Sequence, residues 1–204
     1  MKIFLLGATG QTGSIFLEMA LEGGHSVTAY VRSPEKMMLN NENLTIVKGD
    51  IFSVEDMSKA MATHDVVVSC LGGNNNDKRT VINDMTEIII KCMKMNHMNR
   101  IVTISTAGIH DEFSFVMNLI VKAFLRHAIN DHKLAAQAII SSGLEYTIAR
   151  PLSLTKGPLT KVYRKTAIGV PKGGKEISRQ DLAHFLLSVI ENDEFKNETV
   201  GLAY

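Results

Sequence analysis

Gly7, Gly10 and Gly13 are the residues whose type and spacing point most directly to chemistry. They lie between the apolar run Ile3-Phe4-Leu5-Leu6 and the segment Ser14-Ile15-Phe16-Leu17-Glu18-Met19-Ala20-Leu21. A strand, a glycine turn and a helix in that order can cradle the pyrophosphate of a dinucleotide. The glycines let the backbone turn tightly and approach the phosphates. The helix N-terminus adds unpaired N–H groups and a partial positive charge. The spacing here is G-x-x-G-x-x-G, wider in its first interval than the G-x-G-x-x-G fingerprint. An ordinary glycine-rich turn is the competing use.

A second group of residues would choose the cofactor. Ser26–Val31 reads as the next strand, ending at Arg32-Ser33-Pro34. NAD sites place Asp or Glu at this strand end to bind the ribose 2′-hydroxyl, whereas an arginine accommodates the 2′-phosphate of NADP. No acid occurs at Tyr30, Val31, Arg32 or Ser33. Arg32 can make a forked contact to phosphate and Ser33 a further hydrogen bond; a solvated surface charge is the plainer use of Arg32.

These groups need a scaffold, and the rest of the chain supplies a βα alternation. Residues 44–47 form a third strand leading to Gly49-Asp50-Ile51. Asp50 either faces the adenine side of a cleft or caps the helix Val54–Met61. Residues 66–73, Val-Val-Val-Ser-Cys-Leu-Gly-Gly, suit a parallel strand buried on both faces, closing in glycines that pass near a ribose. Residues 80–95 have helical periodicity. The strand Arg100–Ile104 delivers Ser105-Thr106, where Ser105 is either a polar contact for substrate or nicotinamide or a helix cap. Residues 113–125 are apolar almost all round and serve as core, lid or subunit contact. Asn130-Asp131 reads as the N-cap of a helix running to about Ile140. A sixth strand over 145–150 precedes Pro151-Leu152, residues 158–175 read as a basic loop, and Ser178 caps a last helix. The expected fold is α/β, a Rossmann-type doubly wound parallel sheet with helices on both faces. The expected organisation is one domain over residues 1–204, its substrate side built mainly from 105–135 and 151–178.

The totals exclude several classes. A net charge of +1 gives no global case for nucleic acid or an anionic membrane. No apolar stretch has the length of a membrane span. Met1-Lys2-Ile3 runs into a strand, so no cleavable leader is expected. Cys70 and Cys92 lack metal or redox spacing, which suits free thiols in the cytoplasm. No metal site is expected.

The glycine turn, Val31-Arg32, Gly49-Asp50, Ser105 and the run Ser142-Gly143-Leu144-Glu145-Tyr146-Thr147-Ile148-Ala149-Arg150-Pro151 together resemble the atypical short-chain dehydrogenase/reductases. Within them the chain is similar to the NAD(P)H-binding branch that includes flavin reductase (NADPH), also called biliverdin-IXβ reductase. Asp131-His132, Gly157-Pro158-Leu159-Thr160 and residues 178–185 match that branch too. The resemblance implies NADPH as cofactor. Gly7, Thr9, Gly10, Gln11, Thr12 and Gly13 would hold the pyrophosphate, with Arg32 and Ser33 at the 2′-phosphate. Asp50 and Ile51 would lie beside adenine, Leu71 and Gly72 near the ribose, and Ser105, Thr106, Pro151 and Leu152 by the nicotinamide. Ser105 and His132 are the candidate catalytic residues; a solvated histidine at a helix start is the other use of His132.

One departure matters. The usual Tyr-x-x-x-Lys proton relay is missing, since none of Tyr30, Tyr146, Tyr163 and Tyr204 has a lysine four residues on. That disfavours alcohol–ketone chemistry and epimerase-like chemistry. It fits a small-molecule acceptor such as a flavin, a quinone or a tetrapyrrole, which takes a hydride onto a conjugated system and a proton from water. The alternative is an NADP(H)-sensing regulator acting through protein contacts at residues 113–125. A monomer or weak homodimer is expected.

Overall fold

The computed structural model describes residues 1–72, 81–110 and 126–204. The expected apolar segment 113–125 therefore lies outside the described residues, as do Gly73 at the end of the fourth strand run and Thr80 at the start of the helical stretch 80–95. The strands are β1 (Lys2–Leu6), β2 (Ser26–Val31), β3 (Leu44–Lys48), β4 (Val66–Ser69), β5 (Arg100–Ile104), β6 (Glu145–Pro151), β7 (Ser153–Thr155), β8 (Arg164–Thr166), β9 (Glu176–Ser178) and β10 (Glu198–Ala203). The α-helices are α1 (Gln11–Glu22), α2 (Val54–Met61), α3 (Val81–Met95), α4 (Arg126–Ser141) and α5 (Arg179–Glu191).

The main sheet has the order β3-β2-β1-β4-β5-β6-β10-β8. Its first six strands are the Rossmann order, and every pairing is parallel until β8 meets β10 antiparallel. Parallel strands joined by helical crossovers must be covered on both faces. β1 shows how the sequence does this. Ile3 and Leu5 point to one face, where they join Phe16 and Leu17 of α1 and Leu182, Phe185 and Leu186 of α5. Phe4 and Leu6 point to the other, among Met57 and Met61 of α2, Ile89 of α3 and Ala135 and Ile139 of α4. All four β1 side chains are fully buried, each contributing about 1.5–3 kcal/mol.

Several boundaries differ from the sequence reading. α1 starts at Gln11, so Gln11, Thr12 and Gly13 are its first turn rather than part of the loop. α4 is already helical at Arg126, four residues before the expected start, which makes Asp131 an interior residue and not its N-cap. β6 continues through Pro151, opposite Leu202. The proline has no N–H to give, but its carbonyl accepts from Ala107 at 3.1 Å. Part of the expected loop 158–175 is β8, too short at three residues to leave a period in the sequence. Ser178 does cap α5, accepting from the Asp181 N–H at 3.0 Å.

Candidate active site

The carboxyl ends of the parallel strands gather the expected site residues on one edge. Gly7 follows β1, Arg32 and Ser33 follow β2, and Asp50 and Ile51 lie just beyond β3. Leu71 and Gly72 follow β4, Ser105 and Thr106 follow β5, and Pro151 and Leu152 end β6. Backbone bonds carry the pairing into these loops: Cys70 N–H donates to Leu6 O at 2.9 Å, Gly49 N–H to Val31 O at 3.0 Å and Ser105 N–H to Ala149 O at 2.8 Å.

The glycine turn is as tight as its composition suggests. Gly7 sits at φ +80°, and a Cβ there would meet Cys70 O at 2.6 Å. A Cβ on Gly13 would come within 2.1 Å of Gly7 O, so α1 approaches the turn as closely as backbone allows. Gly10 is the N-cap of α1. It has no side chain to spend on the helix, and the first turn of α1 has no acidic residue. The leading N–H groups are therefore free of a side-chain cap, and an anion fits there. Thr9, Gly10 and Gln11 are exposed on the turn, whereas Thr12 and Gly13 are buried beneath it. Cys70 lies under the cradle, and burial pushes its thiol up to about 12, so it is a neutral packing residue.

Leu6 is in register with Tyr30, which places Arg32 and the glycine turn on neighbouring strand ends. Arg32 is exposed, and no hydrogen bond or ion pair engages it among the described residues. Asp50 does not cap α2. Its Oδ1 accepts from Phe52 N–H at 3.0 Å, while Tyr30 OH donates to its carbonyl at 3.0 Å. Ser53 occupies the N-cap position instead, and its hydroxyl donates to Asp56 Oδ2 at 2.6 Å. The Ile51 side chain joins the core, so at the cleft Ile51 offers backbone.

Ser105 and His132 come together on the walls of a cavity of about 10 Å³, with Ser69, Thr86 and Thr103 adding polar groups. That is about the space of one water molecule. Ser105 is 8% exposed, and its hydroxyl has no partner among the described residues. No helix follows it directly, so capping does not claim it. His132 lies on the second turn of α4 rather than at a helix start. Burial holds it below the usual histidine range, and the Asp131 carboxylate opposes that only in part. At neutral pH it is an uncharged imidazole that can accept or donate one hydrogen bond.

Asp131 has a role that sequence reasoning missed. Its Oδ2 accepts from Ile82 N–H at 2.9 Å and its Oδ1 from Asn83 N–H at 2.8 Å, capping α3 from another helix. Ile82 and Thr86 of α3 line the same cavity as His132, so this clamp sets the wall opposite the imidazole. Asp131→Ala is expected to cost about 1–3 kcal/mol by leaving two N–H groups uncapped in a buried place. Urea unfolding would measure it; an unchanged midpoint would refute the clamp.

A family model described as NAD(P)H-binding matches residues 7–193, from the first glycine of the turn to the end of α5 and just beyond. The chain belongs to the NAD(P)H-binding family. This NAD(P)H-binding protein is 26% identical over 209 residues to YwnB of Bacillus subtilis, covering 97% of this chain and 96% of that one. In fold it is similar to a short-chain dehydrogenase/reductase from Veillonella parvula solved in complex with NADP. The TM-score is 0.84 at 19% identity, over 100% of this chain and 94% of that one. It is also similar to ChuY, an anaerobillin reductase from Escherichia coli O157:H7, with a TM-score of 0.83 at 19% identity over 100% and 97% of the two chains. The atypical short-chain dehydrogenase/reductase pattern read from the motifs agrees with this family and fold. Among the described residues no helix is long and apolar enough to cross a membrane, and no cluster of His, Cys, Asp or Glu could hold a metal ion.

Proposed function

We propose that this protein is an NADPH-dependent reductase that passes a hydride to a flavin, quinone or similar conjugated acceptor. The observation that supports the reading is that the expected cofactor residues share one edge, at the carboxyl ends of β1 to β6, in a chain without the tyrosine–lysine relay. Where such a relay would act, the chain offers Ser105 and an uncharged His132 on one small cavity. ChuY, an anaerobillin reductase, shares the fold.

When bound, the dinucleotide supplies the hydride. The chain's own residues position it. Gly7, Thr9, Gly10, Gln11, Thr12 and Gly13 would hold the pyrophosphate. Leu71 and Gly72 would pass near the ribose, and Ser105, Thr106, Pro151 and Leu152 would set the reactive end against the acceptor. Of the described residues, 106–110, 126–135 and 151–178 would supply the substrate wall. Ser105 and His132 orient the acceptor and can pass it a proton drawn from water.

NADP is favoured over NAD because the β2 end carries no acid and an unengaged Arg32. Arg32→Ala is expected to weaken NADPH binding by about 1.5–3 kcal/mol, as for one charge-assisted contact, and to leave NADH binding nearly unchanged. Calorimetric titration with both cofactors checks this; equal losses would show that Arg32 does not read the 2′-phosphate. The reductase reading is tested by NADPH consumption with FMN, riboflavin and simple quinones. Enzyme-dependent, saturable turnover of at least one is expected, and rates no higher than without enzyme for all of them would refute it.

A further inference from the structure

Beside the glycine cradle lies a second, wider groove of about 410 Å³, within the size range of small-molecule sites. α1 contributes Gln11 and Ser14, the segment after β7 contributes Lys156 and Gly157, and α5 contributes Arg179 and Gln180. Two side chains are cationic and no carboxylate lines the groove. Lys156 is exposed and has no partner among the described residues. Arg179 is half-buried and held in place by one bond, its Nη1 donating to Leu154 O at 3.2 Å. That bond fixes the guanidinium and leaves its other N–H groups without a protein acceptor among the described residues.

The groove borders the cofactor site without repeating it. Of its lining residues, Gln11 alone is also among those expected at the pyrophosphate. From Leu152, the expected neighbour of the nicotinamide, β7 runs through Ser153, Leu154 and Thr155 to Lys156. The four extended steps from Leu152 to Lys156 span about 13 Å. A molecule whose conjugated ring lies at the strand ends can therefore send an arm along β7 to the cations.

We propose that this groove binds the anionic arm, a phosphate or a carboxylate, of the hydride acceptor. The proposal rests on the reductase reading above and narrows it, because FMN and a tetrapyrrole with free propionates carry such an arm, whereas riboflavin and a simple quinone do not. The groove selects for charge, and the cleft at the strand ends selects for a flat ring.

The test compares acceptors that differ only in the anion. The kcat/KM ratio of FMN to riboflavin is expected to be about tenfold or more in the native protein, the scale of one charge-assisted contact, and to fall toward unity in Lys156→Glu and in Arg179→Gln. A linear tetrapyrrole and its dimethyl ester form the second arm and separate carboxylate from phosphate recognition. A preference in either arm that the variants abolish supports the proposal. Ratios near unity in both arms overturn it, as does an equal loss of NADPH affinity in the variants, which would assign the groove to the cofactor. If no flavin, quinone or tetrapyrrole is reduced, the reductase reading fails by itself. The groove is then tested by fluorescence titration of the NADP-loaded protein, where tighter binding of FMN than riboflavin, lost in Lys156→Glu, upholds it and equal binding overturns it.

Discussion

Gly13→Ala is expected to lower kcat/KM for NADPH on the order of 100-fold, as a displacement of about 1 Å at a positioning element can do, and to destabilise the fold by about 3 kcal/mol. The new methyl would lie 2.1 Å from Gly7 O. Both sides of that contact are backbone, so no side chain can swing away. α1 would have to retreat from the β1 turn, taking its N–H groups from the phosphates and its buried Phe16 and Leu17 from the sheet. Gly10→Ala supplies the graded comparison, since its methyl would meet Gly7 O at 3.1 Å and needs only a few tenths of an ångström. Cofactor titration and urea unfolding on both variants should rank Gly13→Ala far worse. Equal, small effects would mean that the close approach does not hold the cradle.

Asp181→Asn is expected to cost on the order of 3 kcal/mol or more. Asp181 is fully buried at the start of α5. Its Oδ1 accepts from Thr160 N–H at 2.9 Å and Lys161 N–H at 2.7 Å, and its Oδ2 from Thr160 OH at 2.7 Å and Tyr204 OH at 2.6 Å. An amide in its place would turn a donor toward some of these donors. Burial pushes the Asp181 carboxyl up, but the bonds from Tyr204, Thr160 and Lys161 outweigh it and hold the group below its ordinary value. A depressed carboxylate adds stability above its unfolded value of about 3.9, and that stability is lost as pH falls through the lower folded value. Native stability should therefore decline in acid more steeply than that of Asp181→Asn. Parallel pH curves would contradict this role.

Local features of the chain were the legible ones. β1, the glycine turn and α1 could be read because burial on both faces of β1, φ > 0 at Gly7 and the close approach at Gly13 each demand a residue type. The run Val66-Val67-Val68 announced a strand buried on both faces for the same reason. What could not be read depended on partners far apart. Asp131 looked like the cap of its own helix because caps are local as a rule, yet it serves N–H groups 48 and 49 residues earlier. The Asp181 hub joins residues 20–23 positions away, and no spacing rule signals it. Asp50 is polar at a strand end, which fits a cap, a base contact and the turn it makes equally well. The pairing of Ser105 with His132 was legible only through resemblance to a family. The groove at Lys156 and Arg179 needed the packing of α1 against α5 to exist.

The most direct measurement is a single turnover without oxygen. Protein loaded with NADPH is mixed with FMN, and the absorbances of the nicotinamide and the flavin are followed together. The reductase account predicts that both signals fall in step, one for one, at a rate that saturates with FMN and is faster with NADPH than with NADH. NADPH that stays bound and unoxidised with FMN, and again when a simple quinone replaces it, would contradict the account and mark the protein as one that binds the nucleotide without passing on its hydride.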